Sequence, residues 1–310
     1  MEIFASLDLT ESQVARLRYV AGPDCLHLRE PLAEDATLDP SFTASQVVFG
    51  NVPPRWLPQS RALRWIQLES VGFGEYRTLD WRTLGRSVAM TNLAGFFAEP
   101  VAETALAGIL ALYRGIDRLV RLQADRDWQG ERLRRDLHTL AGARVVLFGY
   151  GSINRRLAAL LTPFGCKVIP FGRGWTPEEL DSALAVADVV VCAPPETDAT
   201  IGLFDAARLA LLKPSALFVN LGRGSVLAES ALSECLHAGR LGGALIDVTA
   251  REPLPPGHDF WDCPRLILSQ HSGGGTADEM DRKIEAFTDN LSRYRAGEPL
   301  VGIVDFEKGY

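Results

Sequence analysis

An α/β fold built around a doubly wound parallel sheet is predicted for the larger part of this 310-residue chain. Three observations predict it. Six compact apolar runs recur between residues 144 and 269, helix-compatible stretches separate several of them, and the first run ends in a glycine-rich turn that opens a helix. The runs are Arg144–Phe148, Lys167–Phe171, Val189–Ala193, Ala216–Leu221, Gly243–Val248 and Leu266–Ser269. They are continuous rather than alternating, as strands covered on both faces are. Ile153–Leu161, Glu178–Val186 and Glu229–Ala238 carry helical spacing between them, and strand–helix alternation of this kind specifies a parallel sheet.

The first ninety residues read as shorter elements. Ile3–Leu7, Val47–Gly50 and Leu63–Leu68 are expected strands, while Pro53-Pro54 and Val71-Gly72-Phe73-Gly74 are expected loops. Glu99-Pro100 then opens one long helical pattern through Val101, Leu106, Ile109, Leu110, Leu112, Ile116, Leu119 and Val120. Pro100 suits a first turn, where it has no needed N–H to lose. The basic cluster Arg132, Arg134 and Arg135 reads as a solvated face without function.

Composition narrows the function classes. A chain of 310 residues points to two domains. Its 47% apolar and 23% charged residues are those of an ordinary globular protein, which excludes disordered and fibrous classes. The formal charge of −7 argues against nucleic acid or an anionic membrane as partner. No apolar run approaches the ~18 residues of a membrane span, and Met1-Glu2-Ile3-Phe4 lacks the features of a signal peptide. Cys25, Cys166, Cys192, Cys235 and Cys263 are odd in number, scattered, and form no C-x-x-C. The expectation is reduced thiols, a cytoplasmic location, no disulfide framework and no metal site.

The glycine turn is Gly149-Tyr150-Gly151-Ser152-Ile153-Asn154. Glycines there permit a tight turn, let the backbone approach a pyrophosphate, and aim a helix N-terminus at the anion. Following a strand and preceding a helix, it predicts a dinucleotide site in a Rossmann-type domain. Asn154 replaces the third glycine, which puts helix–strand packing in question more than phosphate contact. At the end of the second run, Phe171-Gly172-Arg173-Gly174 offers no carboxylate for a ribose 2′-hydroxyl. Arg173 suits a 2′-phosphate instead, so NADP(H) is expected as the preferred cofactor with NAD(H) possible. The plainer alternative is that Arg173 is a solvated loop residue.

Ligands of open α/β sheets collect outside the carboxyl ends of the strands. Arg223 follows the fourth run, Glu252 the fifth and His271 the sixth. That set meets the demands of reducing a 2-oxo acid. Arginine holds the carboxylate and polarises the carbonyl, and histidine donates a proton to the developing alkoxide. A carboxylate paired with the histidine orients it. Singly, each has a structural explanation; their joint placement makes them the candidate catalytic set. His27, His138, His237 and His258 are left as structural or surface groups, and Trp128 and Trp261 as packing.

Together the motifs Leu68-Glu69-Ser70-Val71-Gly72, Val101-Ala102-Glu103, Gly149–Ile153, Pro195–Leu203, Asn220–Gly224, Asp247-Val248 with Glu252-Pro253-Leu254, and His271 resemble the D-isomer-specific 2-hydroxyacid dehydrogenases over nearly the whole chain. The ending Val304-Asp305-Phe306-Glu307-Lys308-Gly309-Tyr310 is similar to the glyoxylate/hydroxypyruvate reductase branch. The resemblance implies Arg223, Glu252 and His271 as catalytic residues and backbone amides at Val71 and Gly72 as carboxylate donors. It implies cofactor contacts at Pro195, Leu221 and Gly274, with Asp247 beside the nicotinamide carboxamide.

It also implies a smaller, flavodoxin-like substrate domain of residues 1–93 and 277–310, into which a cofactor domain of residues 94–276 is inserted, and a homodimer using the helix after Pro100. Ser269-Gln270, where a threonine–proline pair is common, and Thr249, where an aromatic residue often follows Asp-Val, depart from the pattern. There is no room for the added regulatory domain of many phosphoglycerate dehydrogenases, and Glu252 stands where formate dehydrogenases carry glutamine. A second class stays open, since some relatives are nicotinamide-sensing corepressors that bind protein partners.

Overall fold

A computed structural model of the chain describes residues 1–306; of the branch-like ending, residues 307–310 lie outside that range. The chain divides into two compact units, one formed by Met1–Phe96 with the segment from Thr276 on, the other by Phe97–Gly275.

The first unit holds a five-stranded parallel sheet of β1 (Glu2–Ser6), β2 (Cys25–Arg29), β3 (Val47–Phe49), β4 (Trp65–Gln67) and β5 (Ala89–Thr91), in the order β2-β1-β3-β4-β5. This is the flavodoxin-like order. Alternate strand residues feed two cores: Phe4, Val48, Ile66 and Met90 on one face, and Ile3, Ala5, Val47, Phe49 and Trp65 on the other. The helix Glu279–Ala296 covers the second face through Ile284, Phe287 and Leu291, spaced by three and four. Phe287 stacks on Phe49 at 4.4 Å and on Trp65 at 5.4 Å between ring centroids. Thr10 starts the helix Glu11–Ala21 with a capping box, its hydroxyl receiving the Gln13 N–H while the Gln13 side chain accepts from Thr10 N–H.

The second unit holds a six-stranded parallel sheet of β6 (Arg144–Phe148), β7 (Lys167–Phe171), β8 (Val189–Cys192), β9 (Leu217–Asn220), β10 (Gly243–Ile246) and β11 (Leu266–Leu268), in the order β11-β10-β9-β8-β6-β7. Val145, Leu147, Val191, Val219 and Leu245 face the helices Ala98–Tyr113 and Ser152–Leu161, whose Ala105, Ile109, Leu157 and Leu161 are wholly buried. Val146, Phe148, Val190, Phe218 and Ile246 face the helices Pro177–Leu184 and Glu229–His237. The inner strands β6, β8, β9 and β10 are thus covered on both faces, which is why they read as unbroken apolar runs. Pro170 sits in β7, an edge strand, where a missing N–H costs least.

Three expectations are corrected. The pattern opening at Glu99-Pro100 is two helices, Ala98–Tyr113 and Ile116–Ala124, broken where Gly115 takes φ 66°. Beyond the break Ile116, Leu119 and Val120 lie exposed rather than in a core. Trp128 does not pack, being 96% exposed. Finally, β2 and β5 occupy residues that showed no strand signal. No helix among the described residues is long and apolar enough to cross a membrane, and the five cysteines are unpaired.

Candidate active site

In the second unit β6 lies between β7 and β8, so the chain reverses its direction of winding beside β6. The crevice at the carboxyl ends of such strands is where open α/β sheets take ligands. The turn after β6 leads into a helix whose N-terminus is left open. Gly149 adopts φ +80°, and a Cβ there would lie 2.5 Å from Pro194 N, so no other residue fits. Gly149 and Tyr150 donate their N–H groups to Phe171 O at 2.9 and 3.0 Å, and the Arg155 guanidinium lies 6.0 Å above the Tyr150 ring. The helix Ser152–Leu161 starts without a side-chain cap, and the space beside Gly151 is open. Its first-turn N–H groups therefore face whatever binds there.

Asn154 answers the question its presence raised. It is fully buried, and its Nδ2 donates to Phe148 O at 2.9 Å and Gly149 O at 3.1 Å, tying the helix to the turn. Its Oδ1 is a buried acceptor with no partner among the described residues. A glycine-locked turn and an uncapped helix start fit a dinucleotide pyrophosphate. Of the other expected cofactor contacts, Arg173 is exposed in the turn after β7, Pro195 is exposed after β8 with its carbonyl accepting from Thr200 Oγ1 at 2.8 Å, and Leu221 is buried at the end of β9. Gly274 packs against Phe97, where a Cβ would approach the ring to 2.9 Å.

Arg223, Glu252 and His271 come together on the same edge. Arg223 follows β9 in a loop organised by Asn220, whose side chain donates to Arg223 O at 3.0 Å and accepts from Gly222 N at 3.2 Å. Gly224 makes the next contact possible: a Cβ on it would fall on the Thr249 carbonyl, so the Arg223 loop lies flush against the Glu252 loop. Glu252 Oε1 accepts from Thr249 N at 2.9 Å, and Oε2 meets His271 Nδ1 at 2.7 Å. Burial on its own raises the Glu252 carboxyl pKa. Hydrogen bonds from His271 and Thr249, with the charges of His271 and Arg223, outweigh it and hold the group below its ordinary value. With Nδ1 engaged, His271 Nε2 is the nitrogen left to face a substrate.

Asp247 has a role the sequence reading did not assign. Buried at the end of β10, it accepts from Ser269 Oγ at 2.6 Å and Gly273 N at 3.1 Å with Oδ1, and from His271 N at 2.6 Å with its backbone carbonyl. These bonds hold Gln270 and His271 at φ 53° and 55°, left-handed conformations that side chains other than glycine rarely adopt. Proline, fixed near −65°, does not fit the φ of 53° that Gln270 takes here. The Thr249 hydroxyl donates to Arg251 O at 3.0 Å and closes the turn before Glu252. A cavity of about 530 Å³ beside Glu252 and His271 is lined also by Thr249, Leu254, Trp261 and Gln270. Trp261 is therefore a wall of this cavity rather than simple packing, and no periodic or motif signal in the sequence marked it.

Val71 and Gly72 belong to the first unit. Their carbonyls accept from Asn92 Nδ2 at 2.8 Å and Ser70 Oγ at 2.7 Å, while their N–H groups have no partner among the described residues.

A family model described as "D-isomer specific 2-hydroxyacid dehydrogenase, NAD binding domain" matches residues 106–273. The chain is 30% identical to a glyoxylate reductase of Thermofilum pendens, over 79% of this chain and 76% of that protein. It is 28% identical to glyoxylate/hydroxypyruvate reductase A of Serratia proteamaculans, over 69% of each. A solved structure of a D-isomer-specific 2-hydroxyacid dehydrogenase family protein from Aeromonas salmonicida superposes with a TM-score of 0.78 at 27% identity, covering 98% of this chain and 99% of that one. The two Rossmann-like sheets and the dinucleotide cradle define a nicotinamide-dependent oxidoreductase. The chain belongs to the D-isomer-specific 2-hydroxyacid dehydrogenase family, and within it is similar to the glyoxylate/hydroxypyruvate reductases.

Proposed function

We propose that this enzyme reduces a small 2-oxo acid of the glyoxylate or hydroxypyruvate type to the D-2-hydroxy acid, with NADPH preferred over NADH. The observation that carries the reading is the 2.7 Å contact of His271 Nδ1 with Glu252 Oε2 on the rim that also holds Arg223. Relatives that bear the name glyoxylate reductase support the substrate class.

When bound at the Gly149–Ile153 turn, the reduced nicotinamide supplies the hydride. The chain's own residues do the rest. Arg223 holds the substrate carboxylate and polarises the carbonyl oxygen. His271 Nε2 gives its proton to the oxygen as negative charge develops there. Glu252 fixes the imidazole through Nδ1 and balances its charge. Asp247 keeps the loop that presents His271. The N–H groups of Val71 and Gly72, without a partner among the described residues, are the carboxylate donors that the family resemblance implies. Support for NADPH comes from Gly172, which offers no carboxylate to repel a 2′-phosphate, followed by the exposed Arg173. The exposed Ile116, Leu119 and Val120 favour a homodimer, because such an apolar row on a surface helix is suited to burial against a second copy.

The test is a spectrophotometric screen of glyoxylate, hydroxypyruvate and bulkier 2-oxo acids with both reduced cofactors. Turnover with the two small acids, faster with NADPH, is the expected result. Nicotinamide binding without oxidation by any 2-oxo acid overturns the reading and leaves a cofactor sensor.

A further inference from the structure

We propose that Glu2, Cys25 and His27 form a binding site for a zinc-like divalent cation on the sheet of the first unit. No motif marks this site in the sequence, because one of its donors comes from a different strand. Parallel register sets Glu2 beside Cys25 and Phe4 beside His27. Residues two apart on a strand face the same way, so the three side chains share one face of the β1–β2 pair.

The donor atoms are already gathered. His27 Nε2 lies 2.7 Å from Glu2 Oε2 and 3.6 Å from Cys25 Sγ, and all three donors fall within 4.8 Å of one another. Zinc bonds of ~2.3 Å to sulfur and ~2.0–2.1 Å to nitrogen, at a tetrahedral angle, separate those two ligands by about 3.5 Å. The Cys25–His27 spacing matches that edge. The corresponding nitrogen–oxygen edge is about 3.3 Å, so the ion asks the Glu2 carboxylate to retreat by roughly 0.6 Å from its present hydrogen bond. Glu2 can comply, since its side chain is 39% exposed. The backbone beneath need not move, because β1 is held on both sides by β2 and β3.

The donor set names the metal class. Thiolate with imidazole and carboxylate selects zinc and related borderline-soft ions over magnesium or calcium, which want oxygen alone. Thiolate and carboxylate together cancel the charge of a divalent ion. Two cations near the cluster do not compete for it, since Asp24 takes the Met1 ammonium at 3.0 Å and Arg295 at 2.7 Å. Three protein ligands leave the fourth position to water, and the exposed face of Cys25 provides the entry path. Bound metal joins the edge strand β2 to β1, and because it binds the folded sheet it raises the unfolding temperature.

The experiment uses the full chain without an affinity tag, reduced and freed of metal. Zinc chloride is titrated calorimetrically, and cobalt(II) is added as a spectroscopic probe. One ion per chain with a Kd at or below about 10 µM is expected, together with a thiolate-to-cobalt charge-transfer band and a zinc-dependent rise in Tm. Cys25→Ser should abolish the band, and His27→Ala and Glu2→Gln should each weaken zinc by at least ~10-fold. Absence of the cobalt band in the wild-type protein overturns the proposal without any variant. So does zinc affinity that is unchanged in both Cys25→Ser and His27→Ala.

Discussion

Glu252 Oε2 and His271 Nδ1 stand 2.7 Å apart, although nineteen residues of chain separate them. Two loops, after β10 and after β11, must hold their shapes for that distance to persist.

The pair sets a pH dependence. The Glu252 carboxyl is held below its ordinary pKa, burial being outweighed by the hydrogen bonds from His271 and Thr249 and by nearby positive charge. A carboxyl depressed in the folded state contributes stability that is present above its unfolded pKa of ~4.3 and lost as pH falls through the folded value. The Tm difference between wild type and Glu252→Gln should therefore hold steady from pH 7 to about pH 5 and close below ~4.3. A gap that closes already between pH 7 and 6 would show that Glu252 is not ionised in the pair.

Gly224 is the contact between the Arg223 and Glu252 loops, and a Cβ there overlaps the Thr249 carbonyl. Gly224→Ala should lower stability by ~1–3 kcal/mol through overpacking. It should also lower kcat, because both loops carry candidate catalytic groups. Thermal melts and steady-state kinetics on one preparation check both; an unchanged Tm and kcat would mean that the loops do not touch.

The left-handed Gln270 gives a sharper contrast. Gln270→Gly removes conformational strain and should leave kcat within about twofold. Gln270→Pro forces φ near −65° and should displace His271, costing on the order of 10²-fold in kcat. Equal activity of the two variants would contradict the loop conformation.

How much of this was legible follows from where each element lies. The inner strands of the second unit announced themselves because the sheet is covered on both faces there, so apolar residues run unbroken. The glycine turn, Arg223, Glu252 and His271 were readable because each follows such a run. By contrast β2, with the sequence Cys25-Leu26-His27-Leu28-Arg29, is a partly exposed edge strand and alternates polar with apolar. β5 spans only Ala89–Thr91. The break at Gly115 was hidden because Ile116, Leu119 and Val120 continue the helical spacing while facing out. The hold of Asp247 on Ser269 and Gly273 joins two strands, and pairing between strands leaves no local trace in a sequence.

Cofactor choice is open to redesign. Gly172 lies outside the left-handed region and nothing comes within 4 Å of a Cβ there, so aspartate fits. A hydrogen bond to a charged group is worth ~1.5–3 kcal/mol, or roughly 10–150-fold, and the exposure of Arg173 places its gain near the lower end. Gly172→Asp with Arg173→Ala should reverse a preference for NADPH, read as the ratio of kcat/KM for the two cofactors. A wild-type ratio at or below one would make Arg173 a solvated loop residue.

His271 is the proton donor we propose, and His271→Ala measured beside the wild type tests that role. With glyoxylate or hydroxypyruvate as substrate, kcat should fall by ~10²–10⁴-fold while the Kd for NADPH stays within about twofold, since the dinucleotide cradle lies at Gly149–Ile153 and is untouched. A variant that keeps wild-type kcat would remove His271 from the reaction and contradict the account.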